Sequence, residues 1–140
     1  MKIKLVQNVN REEFKALYRD AGWWFDEYDG DTSFIEGIVG GSFLFAAAFS
    51  PDGKMIGMGR VLSDGCSDAY IQDVVVLKDF RGKGTGGQII TFLISELKER
   101  GIDWIGLIGE PGTENFYTRI GFRKLEKHIP MKLETPAGTQ

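Results

Sequence analysis

The chain has 140 residues, of which 42% are hydrophobic and 26% are charged, and its formal net charge is −3. This balance is typical of one folded domain and argues against a disordered chain, and the lack of a basic surplus argues against a nucleic-acid-binding module. The single cysteine, Cys66, excludes an intrachain disulfide framework, and no apolar run reaches the length of a membrane span.

The first forty residues predict one strand and two helices. Alternating apolar residues predict a strand over 1–9, and Asn10 can cap a helix whose apolar spacing ends at Gly22. Polar residues at 31–33 should cap a second, shorter helix that ends near residue 39.

The middle of the chain predicts three strands. Apolar runs over 42–50 and 54–63 flank the turn sequence PDG at 51–53 and predict a hairpin. Residues 69–77 are rich in β-branched side chains and predict a further strand, expected to be central in the sheet.

The last third predicts two helices and further strands. Residues 86–101 form a strong helical pattern with basic side chains in the last turn. A buried strand is expected over 103–109, a short helix over 113–121, and a closing strand or pair of strands over 122–133. The order of the elements indicates a mixed sheet with helices, of the α/β or α+β class.

A single domain is expected over residues 1–134, followed by a flexible polar tail over 135–140. The first ten residues lack the apolar core of a signal peptide, so we expect a cytoplasmic protein with no membrane or nucleic-acid partner. We expect no metal, and the apolar strands leave room for a homodimer.

The segment FRGKGTGGQII, residues 80–90, joins a predicted strand to a predicted helix. Free N–H groups at a helix N-terminus, together with the helix dipole, form an anion site. The residues that suit a phosphate, because they are small or basic, are Gly84, Gly86, Gly87, Arg81 and Lys83. The segment is therefore interpreted as a cradle for phosphates.

Two common phosphate motifs do not fit this segment. The Walker pattern fails because Lys83 lacks both the upstream glycine and the hydroxyl residue directly after it. The dinucleotide pattern G-x-G-x-x-G matches Gly82, Gly84 and Gly87, but the residues LKDFR separate the strand from its first glycine. The best acidic residue at a following strand end, Glu110, is also too far along the chain.

A third pattern, Arg/Gln-x-x-Gly-x-Gly/Ala, matches Arg81, Gly84 and Gly86, and the segment from Phe116 to Phe122 is similar to a Phe-Tyr-x-x-x-Gly-Phe signature. With both motifs in this order, the chain resembles the GNAT superfamily of acyl-CoA-dependent N-acyltransferases over nearly its whole length. The resemblance implies an α+β fold with a mixed, mostly antiparallel sheet that is flanked by helices and splayed at its central strand. It also implies acetyl-CoA as the co-substrate.

The chain departs from the family at two positions before Tyr117. Members often carry Asn seven residues and Ala four residues before this tyrosine, where the chain has Glu110 and Thr113. An Asn contact with the cofactor arm therefore does not carry over, and Glu110 is expected to serve the acceptor substrate instead.

The resemblance also implies where acetyl-CoA and the reacting groups lie. The pantetheine arm would follow Val74, Val75 and Val76 like an added strand. One of their N–H groups, with that of Val74 as the first candidate, would face the thioester oxygen. Tyr117 aligns with the tyrosine that often donates a proton to the departing CoA sulfur. The loop residues expected to hold the pyrophosphate are Arg81, Gly82, Lys83, Gly84, Thr85, Gly86 and Gly87.

The general base is left open between Asp73, Asp64, Glu110 and a chain of water molecules. Asp73 lies on the strand predicted at 69–77, and we expect it to be catalytic together with Tyr117. Because neighbouring side chains of a strand alternate faces, Asp73 serves equally well as a structural carboxylate that accepts hydrogen bonds.

The acceptor pocket is expected near residues 18–31, where Trp23 and Trp24 could wall a pocket beside several acidic side chains. Packed aromatics and a solvated acidic loop would give the same pattern. The expected function is an acetyl-CoA-dependent N-acetyltransferase that moves an acetyl group directly to a primary amine of a small molecule or protein. The alternative is a non-catalytic CoA-binding or sensing domain of the same fold.

Overall fold

The computed structural model describes residues 1–135 of the chain. They fall into two compact units, Met1–Leu107 and Ile108–Gln140. The flexible tail expected over 135–140 lies, apart from Thr135, outside the described residues, and the single domain stays a prediction.

The first unit holds one sheet and three α-helices. Its elements in chain order are β1 (Lys2–Leu5), α1 (Arg11–Ala21), α2 (Phe34–Gly41), β2 (Leu44–Phe49), β3 (Met55–Ser63), β4 (Asp68–Val76), α3 (Thr85–Glu99) and β5 (Trp104–Gly106). Two short 3₁₀ turns, Asp26–Gly30 and Lys78–Phe80, lie in the connections, and the second unit holds α4 (Glu114–Ile120). None of the helices within residues 1–135 combines the length and the apolar character needed to cross a bilayer.

The five strands lie in the order β1-β2-β3-β4-β5. Each of the first four strands is antiparallel to its neighbour, and β5 is parallel to β4. The predicted mixed, mostly antiparallel sheet with flanking helices is therefore confirmed. The strand expected to be central, β4, is the fourth of the five.

The helices α3 and α1 pack on opposite faces of the sheet. A Cβ atom added to Gly59 of β3 would lie 2.9 Å from Ile89, so α3 lies directly over this face. Arg60 follows in β3, and both Arg60 and Tyr18 of α1 bond to Asp73. Successive side chains of a strand point to opposite faces, so α1 lies on the other side. The buried apolar side chains of α3 have the helical spacing that its sequence predicts: Ile89, Ile90, Leu93 and Leu97.

Both ends of α1 follow from its sequence. The side chain of Asn10 accepts a hydrogen bond from the N–H of Glu13 at 3.0 Å, which satisfies a donor in the first turn. Gly22 ends the helix in the left-handed conformation, with φ of 82°. These two residues fix where the chain leaves α1 toward the acidic loop.

The C-terminal strands differ from expectation. β5 covers only Trp104–Gly106, and it is not buried, since Trp104 is 42% exposed. The closing strand predicted over 122–133 is wrong: the described residues form no strand there. Lys127 has φ of 66° and Pro130 lacks an N–H group, so this run cannot form a continuous ladder. Its exposed apolar side chains include Ile129, Met131 and Leu133.

Candidate active site

One edge of β4 is free over most of its length. β5 pairs with β4 only from Asp68 to Tyr70, whereas β3 pairs with β4 up to Val76. The two strands therefore part after Tyr70, and no strand of the described chain pairs with residues 71–76 on that side. The splay implied by the family resemblance is present, and it lies at β4, the strand that the resemblance takes as central.

Val74 and Val76 present their backbone groups to this free edge. Leu77 donates its N–H to the carbonyl oxygen of Ile56 in β3 at 2.9 Å. Successive N–H groups of a strand point to opposite edges, and the register is regular at Val75 and Val76. The N–H groups of Val76 and Val74 consequently point away from β3, while that of Val75 points toward it. An extended ligand beside β4 would find two of the three predicted valines available.

A β-bulge interrupts β4 directly before Val74. The register with β3 shifts between Met58 and Arg60, so that Gly59 faces both Asp73 and Val74. Asp73 has φ of 54°, in the left-handed region that residues with a side chain rarely adopt. The bulge places one extra residue in β4 at the point where the family resemblance puts the thioester.

The carboxylate of Asp73 is held by two side chains from other elements. Its Oδ2 accepts a hydrogen bond from Nε of Arg60 at 2.7 Å and another from the hydroxyl of Tyr18 at 2.6 Å. The side chains of Arg60 and Asp73 are 15% and 22% exposed, so the ion pair is largely withdrawn from water. Burial raises the pKa of Tyr18, and the hydrogen bond to Asp73 raises it further, so Tyr18 stays a donor.

The sequence does not predict Tyr18 and Arg60 as residues of the site. Tyr18 belongs to the apolar face of α1 by its spacing, and nothing local links it to β4. Arg60 does leave a signal, because it interrupts the otherwise buried run of β3, GMGRV. A lone arginine in such a strand indicates a partly buried ion pair, although not its partner.

A compact loop leads from β4 into α3. Gly82 and Gly84 have φ of 81° and 83°, which glycine adopts without steric cost. The carbonyl of Gly84 accepts the first helical hydrogen bond, from Gln88 at 3.0 Å, so the N–H groups of residues 85–87 have no acceptor within the helix. A Cβ atom at Gly87 would meet no protein atom within 4 Å. The start of α3 is thus an open site for an anion.

Arg81 uses its side chain to hold this loop. Its Nε donates to the carbonyl oxygen of Val76 at 2.7 Å, and its Nη2 donates to that of Asp20 at 3.3 Å. The carboxylate of Asp20 accepts the N–H of Lys78 at 2.9 Å. The guanidinium predicted to add charge to the cradle is therefore tied to β4 and α1, whereas Lys83, which is also exposed, lies with its ammonium 5.7 Å from the ring centre of Phe80.

The two predicted acceptor tryptophans have different neighbours. The ring of Trp23 packs edge-on against Tyr18, with ring centres 5.3 Å apart. Tyr18 in turn bonds to Asp73, so Trp23 lies near the bulge of β4. Trp24 packs instead against Tyr28 and Phe34. Trp24 therefore serves the packing of the loop between α1 and α2, and Trp23 is the member of the pair that lies near β4.

Several acidic residues of the first unit have local partners. Lys15 lies 2.6 Å from Asp29 and lowers the pKa of that carboxyl. Asp64, one of the candidate bases, accepts the N–H groups of Cys66 and Ser67 at 2.8 and 2.9 Å, and these bonds lower its pKa. Asp64 thus closes the turn between β3 and β4.

The second unit brings Tyr117 and Glu110 together. Tyr117 lies on α4, and its ring packs against those of Phe116 and Phe122. Gly121 ends the helix with φ of 119°, which turns Phe122 back onto Tyr117, so the signature is a helix end that shields a tyrosine. Burial raises the pKa of the Tyr117 hydroxyl, and the carboxylate of Glu110 raises it further. The hydroxyl consequently keeps its proton at neutral pH.

Comparison with known proteins places this geometry in a family. A family model described as "Acetyltransferase (GNAT) domain" matches residues 40–124, a region that contains both motifs. The uncharacterized N-acetyltransferase ycf52 of Gracilaria tenuistipitata var. liui is 31% identical over 117 residues, which cover 81% of this chain and 62% of that protein. The ycf52 protein of Pyropia yezoensis is 41% identical to this chain in the matched region, and that region covers 41% of the ycf52 protein.

Two solved structures share the fold. The GNAT family acetyltransferase SP0256 from Streptococcus pneumoniae TIGR4 superposes with a TM-score of 0.79 at 24% identity, covering 96% of this chain and 98% of that one. AAC(6')-Iy, solved in complex with the bisubstrate analogue CoA-S-monomethyl-acetylneamine, superposes with a TM-score of 0.73 at 19% identity, covering 96% and 98%. At these identities the likeness shows the fold alone.

Arg81→Met should lower the free energy of unfolding by about 1 kcal/mol, because the carbonyl groups of Val76 and Asp20 both lose a donor. Lys83→Met is the matched control, since it removes the same charge from an exposed side chain of the same loop. It should change the free energy by less than about 0.5 kcal/mol. Urea denaturation followed by circular dichroism measures both variants, and equal effects would show that Arg81 does not hold the loop.

Proposed function

We propose a function for this chain from one premise: it belongs to the GNAT acetyltransferase family. The proposed reaction is direct transfer of an acetyl group from acetyl-CoA to a primary amine of a small molecule or protein. The observation that carries the proposal is the free edge of β4, which ends at the open start of α3. The chain matches 62% or less of the length of the first curated relatives, so its substrates and partners are proposals as well.

Acetyl-CoA has the chemistry that these two adjoining features would bind. Its pantetheine arm carries amide groups, which can pair with Val74 and Val76 as an added strand would. Its pyrophosphate would lie against the first turn of α3, where free N–H groups and the helix dipole favour an anion. The CoA-based analogue bound to AAC(6')-Iy, a protein of the same fold, supports this choice.

The reaction needs a stabilised oxyanion and a protonated leaving group. The uncharged amine attacks the thioester carbonyl, and the Val74 N–H stabilises the negative oxygen that forms, a contribution worth about 10²–10³ in rate for one such donor. The C–S bond then breaks, and Tyr117 donates its proton to the departing sulfur. We assign the amine proton to a chain of water molecules, because fixed donors already occupy Asp73 and Asp64.

Acceptor binding is proposed for Trp23 and Glu110, the first through its position near β4 and the second through its charge beside Tyr117. A carboxylate suits a cationic amine before it loses its proton. The comparisons do not favour the non-catalytic alternative, because the matching family model is that of an acetyltransferase. The cytoplasmic location and the homodimer stay predictions.

Acetyl-CoA should raise the melting temperature of the protein, and NAD should not. At a ligand concentration of a hundred dissociation constants, binding stabilises the folded state by about 2.7 kcal/mol. Gly86→Val should abolish the shift, since its side chain fills the first turn of α3, while valine is at least as favourable as glycine in a helix. Gln88→Ala, at an exposed position one residue beyond the glycines, should keep the shift. A shift with NAD alone would contradict the proposal.

Tyr117→Phe should lower kcat by about 10²-fold, because the departing thiolate loses its proton donor. A general acid works in its protonated form, and the pKa of Tyr117 is raised, so wild-type kcat should show no fall due to Tyr117 between pH 6 and pH 9.5. Thiol release from acetyl-CoA with a panel of primary amines measures both effects. Thr118→Val removes the neighbouring hydroxyl and should leave kcat unchanged. Full turnover of Tyr117→Phe would remove this residue as the acid.

A further inference from the structure

We infer that Asp73 is a positioning residue, whose bonds to Tyr18 and Arg60 hold the bulge of β4 and so direct the N–H of Val74 to the free edge. The catalytic consequence rests on the proposed function, whereas the dependence of the bulge on this cluster rests on the geometry alone. The inference separates two roles that the sequence leaves open for Asp73, those of proton acceptor and structural carboxylate.

Three elements of the first unit meet at one oxygen atom. Tyr18 reaches Oδ2 of Asp73 from α1 at 2.6 Å, and Arg60 reaches the same atom from β3 at 2.7 Å. Arginine does not lose its proton in proteins, and Tyr18 is buried with its hydroxyl directed at the carboxylate. A carboxylate that accepts two such bonds must weaken both to take up a proton. This arrangement suits an anchor better than a base.

The backbone at Asp73 needs an anchor. Its φ of 54° is unfavourable for a residue with a side chain, and Asp and Asn are among the few that tolerate it. Gly59, opposite the bulge, adds no side chain that could hold the backbone from β3. The bonds from Tyr18 and Arg60 therefore offset the cost of the left-handed conformation.

The bulge decides which backbone groups of β4 reach the free edge. The N–H groups of a strand point alternately to its two edges. One extra residue at Asp73 reverses this alternation for the residues after the bulge relative to the residues before it. With the bulge, the N–H of Val74 points away from β3 and toward the position proposed for the thioester oxygen. If β4 relaxed to a regular strand through this point, Val74 and its neighbours would exchange edges.

Three substitutions at Asp73 separate the two roles. Asn keeps the size of the side chain, an oxygen that can accept from both donors, and tolerance of the left-handed conformation. Gly keeps only the freedom to adopt that backbone conformation, and Ala keeps neither the acceptor oxygen nor that freedom. For a positioning residue, kcat should fall in that order: within about fivefold of wild type for Asn, lower for Gly, and about 10²-fold lower for Ala, the effect of a lost oxyanion donor. The KM for acetyl-CoA should change much less than kcat.

The base role predicts a different pattern. All three variants would lose about 10²–10⁴-fold in kcat alike, and the acid limb of the pH profile would disappear in Asp73→Asn. The groups that face Asp73 are Tyr18 from α1 and Arg60 from β3. Burial and the bond to Asp73 raise the pKa of Tyr18, so this hydroxyl keeps its proton between pH 6 and pH 9. A pH profile of Asp73→Asn that matches wild type supports the inference, and equal losses in all three variants overturn it.

A measurement on the backbone tests the bulge without any activity. The ¹⁵N–¹H amide resonance of Val74 should stay near its wild-type position in Asp73→Asn and move in Asp73→Ala. It should also move in Arg60→Met and Tyr18→Phe, which leave the carboxylate in place but remove its donors, and Arg60→Lys should restore part of the effect. Asp68→Asn, which removes an exposed carboxylate from the same strand, is the matched control.

These readouts keep the two proposals apart. If wild type releases no thiol with any amine, the proposed function fails, and the Val74 resonance still decides the role of Asp73. If that resonance is unmoved in Asp73→Ala and in Arg60→Met, the cluster does not hold the bulge and the inference is overturned. Should Asp73→Ala fail to fold, the Asn and Gly variants together with Tyr18→Phe give the same decision.

Discussion

The early parting of β4 and β5 is the constraint on which the rest of the structure depends. Backbone N–H and C=O groups at a strand edge need partners, and an unprotected edge invites pairing with another chain. Here β5 pairs with only the first three residues of β4, so residues 71–76 of β4 have a free edge directly beyond the end of β5. Such an edge is short, and its unpaired backbone groups can bond to one extended ligand.

The helix α1 holds β4 within this edge and also holds the loop that follows it. Tyr18 bonds to Asp73 at the bulge, and two residues later Asp20 accepts bonds from Lys78 and Arg81 in the loop that leads to α3. The strand geometry and the helix start are thereby fixed by the same element. A long ligand with a chain at one end and a pyrophosphate at the other needs both parts at a constant separation, which this arrangement provides.

Patterns that depend on local chemistry were predictable from the sequence. The apolar spacing of α3 gives its buried face, Asn10 and Gly22 give the ends of α1, and Gly82 and Gly84 adopt the positive φ that glycine-rich turns favour. The open helix start that we propose as the phosphate cradle was predictable for the same reason, since its chemistry is that of consecutive residues.

Features that depend on distant residues were not predictable. The run IQDVVV reads as a regular strand, and only the register with β3 reveals the bulge at Asp73. The two side chains that bond to Asp73, those of Arg60 and Tyr18, lie 13 and 55 positions before it in the chain, so no local pattern connects them to Asp73. The closing strand at 122–133 was overpredicted because alternating apolar residues do not show that a partner strand is present.

The central claim is that acetyl-CoA lies along the free edge of β4 with its pyrophosphate at the start of α3. The most direct test is a titration of ¹⁵N-labelled protein with acetyl-CoA, and separately with adenosine 3′,5′-bisphosphate, followed by amide resonances. The account predicts that acetyl-CoA moves the amides of Val74, Val76 and residues 84–87, whereas the nucleotide, which lacks the pantetheine arm, leaves the two valines unmoved. Saturation with acetyl-CoA that leaves Val74 and Val76 in place would contradict it.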